Sequence, residues 1–441
     1  MFCDFNRELQ ALLIDKSDQV KQAQIAEKLE TFKQGIEADL YHFFTTPFIF
    51  SKADFEQLSI SLKHILDAQT NIMNQIYQQR SKQEILDYFF IPNAVRPFIN
   101  WERLLSGDQT VARLDIVPHK TGYSVVDINL HTCVGGMTCG HAYDLVMESL
   151  ALEPFYAHGK VSAYVPLAQK IKTLCKNNDF ERLVILDWQS NADKGRPSFE
   201  LMQLSFIRAG LNLPVVTHTE ESFPKEWLTP EEAKKTLVYR GFSLDEIEPH
   251  DTFVQALMQS QACVLHGFED ELRTNKRWLA LLWDEAYQAR LTKAQKEAIQ
   301  TYLPYSCLLT QDKLPHFLAN KDKYIFKANE GSRSQGILIG KAFSAAKLEA
   351  KLLAIGIENI LVQTFMETDS LAILQDQQES AAEHKFVLGL YMVGDKSQGL
   401  AIRGSTSSAV VKASHGMAKT GWAAVINEQQ KAGILAAIKQ L

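Results

Sequence analysis

The chain has 441 residues, of which 46% are hydrophobic and 22% charged. Its 46 lysines and arginines against 52 aspartates and glutamates leave a formal net charge of −6. These proportions exclude a disordered chain, a collagen-like fibre and a small disulfide-built protein. A mildly acidic chain also gives no electrostatic reason to expect a nucleic-acid partner, because nucleic-acid phosphates are met by clustered basic residues. At about 150 residues per domain, the length predicts roughly three structural units, or one enzyme assembled from several lobes around a cleft.

The cysteines and the first residues bear on the compartment. The six cysteines are scattered, without the dense spacing of a secreted disulfide scaffold. Asp4, Arg7 and Glu8 stand where a signal peptide would need an apolar stretch, and no run approaches the roughly 20 apolar residues of a membrane span. We therefore expect a reduced, cytoplasmic protein with no membrane partner. The sequence does not indicate the oligomeric state.

Residues 1–100 are predicted to be a helical segment. Ser51 and Asp54 have the spacing of a capping box. The apolar residues that follow recur on one helix face: Phe55, Leu58, Leu62, Ile65 and Leu66. An earlier helix is expected over roughly residues 18–44, where Gln, Lys and Glu are frequent.

Residues 101–180 are predicted to contain a β-hairpin that carries a group of polar side chains. The stretch VARLDIVPHKTGYSVVDINL, residues 111–130, alternates around a turn at residues 120–122. Positions two apart on a strand face the same side, so Arg113 joins Asp115 on one strand, and Asp127 joins Asn129 on the other. Two carboxylates and an amide oxygen are hard ligands that suit Mg²⁺. The alternative is the exposed polar face of an ordinary hairpin.

A strand–helix–strand order predicts a parallel α/β unit over residues 181–270. Beyond it, residues 271–441 begin with helices and become strand-rich from Tyr324 onward. The predicted strands there are YIFKAN, GILIG, NILVQTF, KFVLGLYMVG and GLAIRGS.

The strongest local feature is YIFKANEGSRSQGILIGK, residues 324–341. A strand ends in Lys327, and a loop containing Gly331, Ser332 and Gly336 leads to a second strand. Such a loop lets backbone N–H groups approach phosphate oxygens, which the lysine neutralises. It is not a Walker P-loop, because no Gly-Lys-Ser/Thr closes it and a strand follows. The alternative is a plain hairpin with a flexible turn.

A zinc site is a weaker hypothesis for the segment HTCVGGMTCGH. His131, Cys133, Cys139 and His141 lie within eleven residues, but the thiols are six apart rather than in the usual knuckle spacing. A Gly-rich loop with small buried cysteines is preferred. The G-x-S-x-G, H-E-x-x-H and G-x-G-x-x-G patterns that would indicate a hydrolase, a zinc protease or a dinucleotide-binding protein are absent from the sequence.

Taken in chain order, these features resemble the circularly permuted ATP-grasp family, which includes the synthetase domain of glutathionylspermidine synthase. The resemblance spans roughly residues 85–425 and depends on the joint order of five short elements. Those elements are Arg113-x-Asp115 with Asp127-x-Asn129 and the glycine pair Gly135 and Gly136; Tyr239 and Arg240 at a strand end; Asn275 and Lys276 opening a helix; Lys327 with its glycine loop and Gln363; and Gly399, Arg403 and Ser405.

The resemblance implies an α/β (α+β) ATP-grasp fold, circularly permuted, in which residues 181–270 form a pre-ATP-grasp unit and residues 271–441 form the nucleotide-binding lobes. It implies that the protein binds ATP, with the adenine against the backbone of a hinge around Gln363 to Phe365. The ATP-binding residues that it implies are Lys276, Lys327, Gly331, Ser332, Gly336, Gln363 and Phe365. It implies one or two Mg²⁺ ions on Asp115, Asp127 and Asn129. Arg113 and Arg403 would stabilise charge on the transferred phosphoryl group.

The activity that the resemblance implies is an ATP- and Mg²⁺-dependent carboxylate–amine ligase, which makes an amide or peptide bond between small metabolites through an acylphosphate. Two departures from the family stand at Asp127, where Glu is usual, and in VVKASHG around Lys412, where an Asn is frequent. They leave open a catalytically silent nucleotide-binding protein that acts through protein partners. Arg240 is a candidate for holding a substrate carboxylate, and a structural ion pair is the alternative.

Overall fold

The computed structural model describes residues 1–17, 20, 22–34, 42–130, 136–156, 159–195, 197–243, 251–329, 336–374, 380–406 and 418–441. Within these ranges the protein has a mixed α/β fold in which helices surround three sheets. None of the helices in these ranges is both long and apolar enough to cross a membrane.

Helices dominate the start of the chain, and strands alternate with helices after it. Residues 1–106 form α1 (Phe2–Asp15), α2 (Gln22–Gln34), β1 (His42–Phe43), β2 (Phe48–Ser51), α3 (Lys52–Gln79), α4 (Lys82–Tyr88) and α5 (Trp101–Ser106). Residues 111–264 form β3 (Val111–His119), β4 (Gly122–Asn129), α6 (Cys139–Ser149), α7 (Gly159–Ser162), α8 (Tyr164–Lys176), β5 (Arg182–Asp187), α9 (Gln189–Gly195), α10 (Pro197–Arg208), β6 (Val215–Thr219), α11 (Pro230–Ala233), β7 (Thr236–Arg240), α12 (Asp251–Gln259) and β8 (Cys263–Val264).

The last part of the chain alternates short helices and strands. Residues 269–439 form α13 (Glu269–Thr274), α14 (Arg277–Leu281), α15 (Glu285–Gln288), α16 (Lys293–Tyr302), β9 (Ser306–Leu308), α17 (Leu314–Ala319), β10 (Tyr324–Ala328), β11 (Ile337–Ile339), α18 (Ala345–Ile355), β12 (Ile360–Thr364), β13 (Ser370–Leu374), β14 (Ala381–Val393), β15 (Lys396–Ser405), β16 (Lys419–Ile426) and α19 (Glu428–Lys439). Single turns of 3₁₀ helix lie at Arg96–Phe98, Glu153–Phe155, Lys225–Leu228, Lys321–Lys323, Gly340–Ala342 and Ile357–Asn359.

The largest sheet has the strand order β1-β16-β15-β14-β3-β4, with β13 also paired to β14 and β2 also paired to β16. It therefore takes strands from three distant parts of the sequence. The pairs of β1 and β2 with β16 are parallel, whereas the other pairs are antiparallel. The domain boundaries expected near residues 100, 180 and 270 remain predictions.

The helical prediction for residues 1–100 is correct for α3 and wrong for the segment just before it. Ser51 caps α3 by accepting a hydrogen bond from the Asp54 backbone N–H at 3.4 Å. Of the helix expected over residues 18–44, α2 covers Gln22–Gln34, whereas His42–Phe43 form β1; residues 35–41 lie outside the described residues, and β2 follows at Phe48–Ser51. Strand β2 is a four-residue run whose first three residues are fully buried, and so short an apolar run cannot be assigned by periodicity.

The two smaller sheets match their predictions. The α/β unit forms a parallel sheet in the order β6-β5-β7-β8. The lysine strand lies in an antiparallel sheet of order β11-β10-β12-β9, which we call the small antiparallel sheet. Strands β9, β13 and β16 were not predicted.

The small antiparallel sheet has two different faces. Phe326, Ile360 and Val362 belong to a separate apolar cluster with side chains of α17 and α18. Leu361, from the opposite face, belongs to the main core of the protein. Because Lys327 is the register partner of Leu361, its side chain points toward the large sheet.

Candidate functional site

The predicted hairpin is present and brings its four polar residues together. Strands β3 and β4 pair antiparallel around the turn at residues 120–121. In this register Arg113 lies opposite Asn129, and Asp115 lies opposite Asp127. The unshifted register near the turn would place Asp115 opposite Val126, so the two pairs share one face only because the register shifts by one residue between Asp115 and Ile116.

The hairpin carries a β-bulge at the centre of this patch. Asp115 pairs with Asp127 but the next residue, Ile116, pairs with Val125, so Val126 is an extra residue on β4. Bulges of this kind redirect backbone and side-chain groups next to functional sites. The Val126 carbonyl accepts a hydrogen bond of 2.6 Å from Nζ of Lys327, 201 positions later in the chain. The bulge therefore fixes the small antiparallel sheet against the hairpin.

Strands β14 and β15 add a second arginine to the patch. Arg113 donates from Nε to Oδ1 of Asp115 at 2.8 Å and from Nη2 to Oδ2 at 3.2 Å. Nη2 of Arg403, on β15, lies 2.8 Å from Oδ2 of the same carboxylate. Gly389, on β14 between β3 and β15, makes room for Arg113, because a Cβ at that position would lie 2.8 Å from Cδ of the arginine. Both oxygens of Asp115 are therefore engaged by guanidinium groups.

The two arginines keep Asp115 ionised although it is 8% exposed. Burial alone raises the pKa of this carboxyl, but the charges of Arg113 and Arg403 outweigh it and lower the pKa to about 2. Burial alone lowers the pKa of Arg113, but the charge of Asp115 outweighs this effect, and the pKa of Arg113 is raised. Asp115 is thus a permanent negative charge between two permanent positive ones.

Two lysines complete the site. Burial lowers the pKa of Lys327 to about 8, and the nearby charge of Lys276 adds to this effect, whereas Asp127 and Asp115 oppose it. Lys276 directly precedes α14, as the Asn-Lys pattern predicted. Asn275 holds this helix start, since its Oδ1 accepts from the Arg277 backbone N–H at 3.0 Å and its Nδ2 donates to the Phe89 carbonyl at 3.1 Å.

Asp127 and Asn129 are the residues that fit a divalent metal ion best. Both are half-buried. The described contact of Asp127 is a single backbone hydrogen bond from Ile128 at 3.2 Å, so its carboxylate retains lone pairs for a ligand. Nδ2 of Asn129 donates to the Arg113 carbonyl at 3.2 Å. This bond directs Oδ1 away from the Arg113 carbonyl, so that Oδ1 can accept a ligand. These oxygens are the donor type that Mg²⁺ prefers. Asp115 could become a third metal ligand only if one of its contacts with Arg113 or Arg403 were replaced by a contact with the metal ion.

The residues predicted to form the adenine hinge lie at the far end of the small antiparallel sheet. Gln363 is 1% exposed, and its Nε2 donates to Oγ of Ser306 at 3.1 Å. The Phe365 backbone N–H donates to the Lys323 carbonyl at 2.8 Å, and Nζ of Lys341 lies 4.6 Å from the centre of the Phe365 ring. The amide of Gln363 is therefore used inside the sheet. Gly331 and Ser332 lie outside the described residues, and Gly336 adopts a φ of +74°.

Arg240 is placed in a buried ion pair. It is 1% exposed, and Nη1 donates to Oε1 of Glu271 at 2.8 Å and to the Phe242 carbonyl at 2.7 Å. Its Nε donates to the His266 carbonyl at 2.8 Å. These contacts favour the structural ion pair over the substrate-binding hypothesis.

The zinc hypothesis has no support in the described residues. Cys139 is buried at the start of α6, and burial raises the pKa of its thiol to about 11. Nε2 of His141 lies 2.9 Å from Oγ of Ser205. His131 and Cys133 lie outside the described residues. Within the described ranges, groups of three His, Cys, Asp or Glu side chains suited to a metal ion are not found.

Sequence reasoning missed Tyr391, which is the register partner of Arg113 on β14. Its ring stacks on Trp422 with centroids 5.6 Å apart, and a Cβ at Gly136 would lie 2.8 Å from its hydroxyl oxygen. Burial raises its pKa. The alternation of KFVLGLYMVG, which places Gly389 and Tyr391 on one face, was the available signal.

Comparison with known proteins shows a likeness at the level of fold. No family model matches the sequence, and no curated protein matches it. A glutathione synthetase-like effector (GSS30) from Globodera pallida, solved in the apo form, is similar with a TM-score of 0.54 and 10% identity, covering 95% of this chain and 97% of that one. A putative gamma-glutamylcysteine synthetase from Methylobacillus flagellatus KT gives a TM-score of 0.43 at 12% identity, covering 89% of this chain and 96% of that one. The mixed α/β fold of this protein is therefore similar to that of the first structure over almost the whole of both chains.

Proposed function

We propose that this protein is an ATP- and Mg²⁺-dependent carboxylate–amine ligase of the circularly permuted ATP-grasp kind, which joins small metabolites through an amide or peptide bond. One observation carries the proposal: the 2.6 Å hydrogen bond from Lys327 to the bulged carbonyl of Val126. This contact joins the lysine strand of one sheet to the acidic hairpin of another. Two lysines and two arginines then face two carboxylates, a charge pattern that suits a polyphosphate accompanied by a metal ion.

The order of the elements also supports the proposal. The hairpin with Asp115 and Asp127 comes before Lys276 and Lys327 in the sequence, which is the order of the permuted family. The likeness in fold to a glutathione synthetase-like protein agrees with this assignment.

The proposed nucleotide would lie along the inner face of the small antiparallel sheet. Its base would meet the backbone between Gln363 and Phe365, and its phosphates would pass Lys327 toward Gly336. The lowered pKa of Lys327 reflects burial of a cation, which the nearby carboxylates of Asp127 and Asp115 offset only in part. A bound polyphosphate would supply the counter-charge for Lys327 and Lys276 together.

The proposed metal ligands are Asp127 and Asn129. Bound Mg²⁺ would neutralise charge on the phosphate oxygens. In this geometry the oxygens of Asp115 contact Arg113 and Arg403 and orient them, so they are not free to bind the metal ion. The two guanidinium groups would stabilise the negative charge of the transferred phosphoryl group.

The proposed reaction has two steps. Transfer of the terminal phosphoryl group of ATP to a substrate carboxylate releases ADP and gives an acylphosphate. The amine of the second substrate then attacks the acyl carbon, loses a proton and displaces inorganic phosphate. The chain contributes positioning and charge neutralisation to both steps.

A screen of paired substrates tests the proposal. Amino acids, peptides and polyamines would be tested in pairs for ADP and phosphate release that requires both a carboxylate and an amine. Lys327→Ala is expected to abolish that release, whereas Lys347→Ala, an exposed lysine on α18 of the same lobe, should keep it. Full release by Lys327→Ala would refute the assignment.

A catalytically silent nucleotide-binding protein is the second candidate. The observation that favours it is the engagement of both Asp115 oxygens by arginines, which leaves fewer carboxylate ligands for metal ions. Its signature would be nucleotide binding without ADP release for any substrate pair.

A further inference from the structure

Asn329 is a buried amide without partners beside the proposed nucleotide cleft. It is 5% exposed, and neither Oδ1 nor Nδ2 has a hydrogen-bond partner in the described part of the chain. Exchange of the two amide atoms would not change this, since both are unsatisfied. Buried polar groups are normally hydrogen-bonded, so an orphaned amide in a native protein indicates a missing partner.

The backbone places Asn329 on the same face as Lys327. Ala328 pairs with Ile360, and the Asn329 backbone N–H donates to the Asn359 carbonyl at 2.7 Å, which extends the ladder by one residue. Side chains two positions apart on a strand share a face. Asn329 therefore faces the large sheet, as Lys327 does, and not the apolar cluster under α17 and α18.

Its position along the strand separates it from the hinge. The hinge contact between Phe365 and Lys323 precedes the start of β10, and Lys327 lies in the second half of that strand. At a rise of about 3.3 Å per residue, Asn329 is roughly 6.6 Å farther from the hinge than Lys327. A nucleotide with its base at the hinge and its phosphates along β10 would place the last phosphate nearest to Asn329.

We propose that Asn329 binds the terminal phosphoryl group of the nucleoside triphosphate by donating a hydrogen bond from Nδ2. This inference rests on the proposed function and adds a residue to it. Asn329 then distinguishes a triphosphate from a diphosphate, since ADP lacks the group that it contacts. Lys327, in contrast, would contribute to the binding of both.

Calorimetric titration with ADP and with a non-hydrolysable β,γ-imido analogue of ATP, both with Mg²⁺, tests this inference. Asn329→Ala is expected to weaken binding of the analogue about tenfold, which is the effect of losing a typical charge-assisted hydrogen bond. The same variant should leave ADP binding unchanged. Asn329→Asp, which is nearly isosteric, should weaken the analogue further because its charge repels the phosphoryl oxygens. Asn320→Ala is the matched control, because its amide is bonded to the His316 carbonyl in the same lobe.

The outcomes separate the inference from the function on which it rests. If both Asn329 variants keep the wild-type ratio of analogue to ADP affinity, the amide binds ordered water only and the inference falls alone. If the wild-type protein binds neither nucleotide, both the proposed function and this inference are refuted. Thermal unfolding without nucleotide is a second measurement: Asn329→Ala should not lower the midpoint, because no hydrogen bond is lost.

Discussion

Replacement of Lys327 by methionine should make the nucleotide-free protein more stable while it removes nucleotide binding. Lys327 is 4% exposed, and the burial of its ammonium group outweighs the attraction of the nearby Asp127 and Asp115. Methionine keeps the length and apolar stem of the side chain without the charge. A residue that destabilises the empty fold is expected where the fold is built to receive a charged ligand.

The size of the effect follows from the pKa. At roughly 1.4 kcal/mol per pKa unit, a fall from 10.5 to about 8 corresponds to about 3 kcal/mol of unfavourable free energy for the charged lysine. Loss of the hydrogen bond to the Val126 carbonyl would offset about 1 kcal/mol of that gain. We therefore expect Lys327→Met to be more stable than wild type by about 2 kcal/mol near neutral pH.

The effect should depend on pH with a definite sign. Between about pH 8 and 10.5 the unfolded chain binds a proton on Lys327 that the folded protein does not, so wild-type stability rises with pH over this range. Lys327→Met lacks that contribution. The difference between the two proteins should be largest below about pH 8 and should shrink as the pH approaches about 10.

Thermal unfolding of both proteins across this pH range, without and with ATP and Mg²⁺, is the assay. The variant should unfold at a higher temperature near neutral pH and should show no added stabilisation by nucleotide. A variant that is less stable than wild type at every pH, by a constant amount, would show that Lys327 is a structural cation and would refute the reasoning.

The remaining predictions concern Asp115, Gly336 and Arg240, and those for Asp115 and Gly336 each compare two variants. Asp115→Asn should lower the free energy of unfolding, measured with denaturant, by about 3 kcal/mol, because it leaves Arg113 and Arg403 without their counter-charge. Asp127→Asn should lower it much less, and equal losses would contradict the assigned contacts. Since the pKa of Asp115 is lowered to about 2, its stabilisation should be complete above about pH 4 and lost as the pH falls toward 2. Gly336→Ala should destabilise the protein more than Gly394→Ala. Both glycines have positive φ, but a Cβ at Gly336 would meet that of Ala328 at 2.7 Å, whereas nothing lies within 4 Å of a Cβ at Gly394; equal melting points would contradict the close approach of Gly336 to Ala328. Arg240→Met should lower stability by about 3 kcal/mol by leaving Glu271 buried and unpaired, with the KM of the folded protein for its carboxylate substrate unchanged; a raised KM alone would restore the substrate-binding hypothesis.

The parts of the site that could be predicted from sequence are those set by local periodicity. Alternation of period two was sufficient to place Arg113 with Asp115 on one strand and Asp127 with Asn129 on the other, because positions two apart on a strand share a face. It was not sufficient to bring the two pairs onto one face of the hairpin, which requires the register shift at Val126. The same period places Asn329 beside Lys327. An isolated asparagine at a strand end is usually part of a turn, however, so its residue type gives no signal of a binding role.

The parts that could not be predicted depend on contacts between distant segments. The bulge at Val126 is a backbone irregularity without a distinctive residue type, and its acceptor role becomes visible only when Lys327 is brought next to it. The arginine pair around Asp115 is similar, because Arg403 reaches the carboxylate across β14. Strand β16 was missed because its sequence, KTGWAAVI, contains a glycine and two alanines, which are poor signals of a strand.

The position of β16 in the large sheet has a consequence for how the protein is made. This strand lies between β15 and the early strands β1 and β2, and the Thr420 hydroxyl donates to the His42 carbonyl, 378 positions earlier. A nascent chain therefore cannot complete its largest sheet until β16 has left the ribosome. Until then the apolar strand β2 has no partner, so assembly should be slow and should depend on protection from aggregation during synthesis.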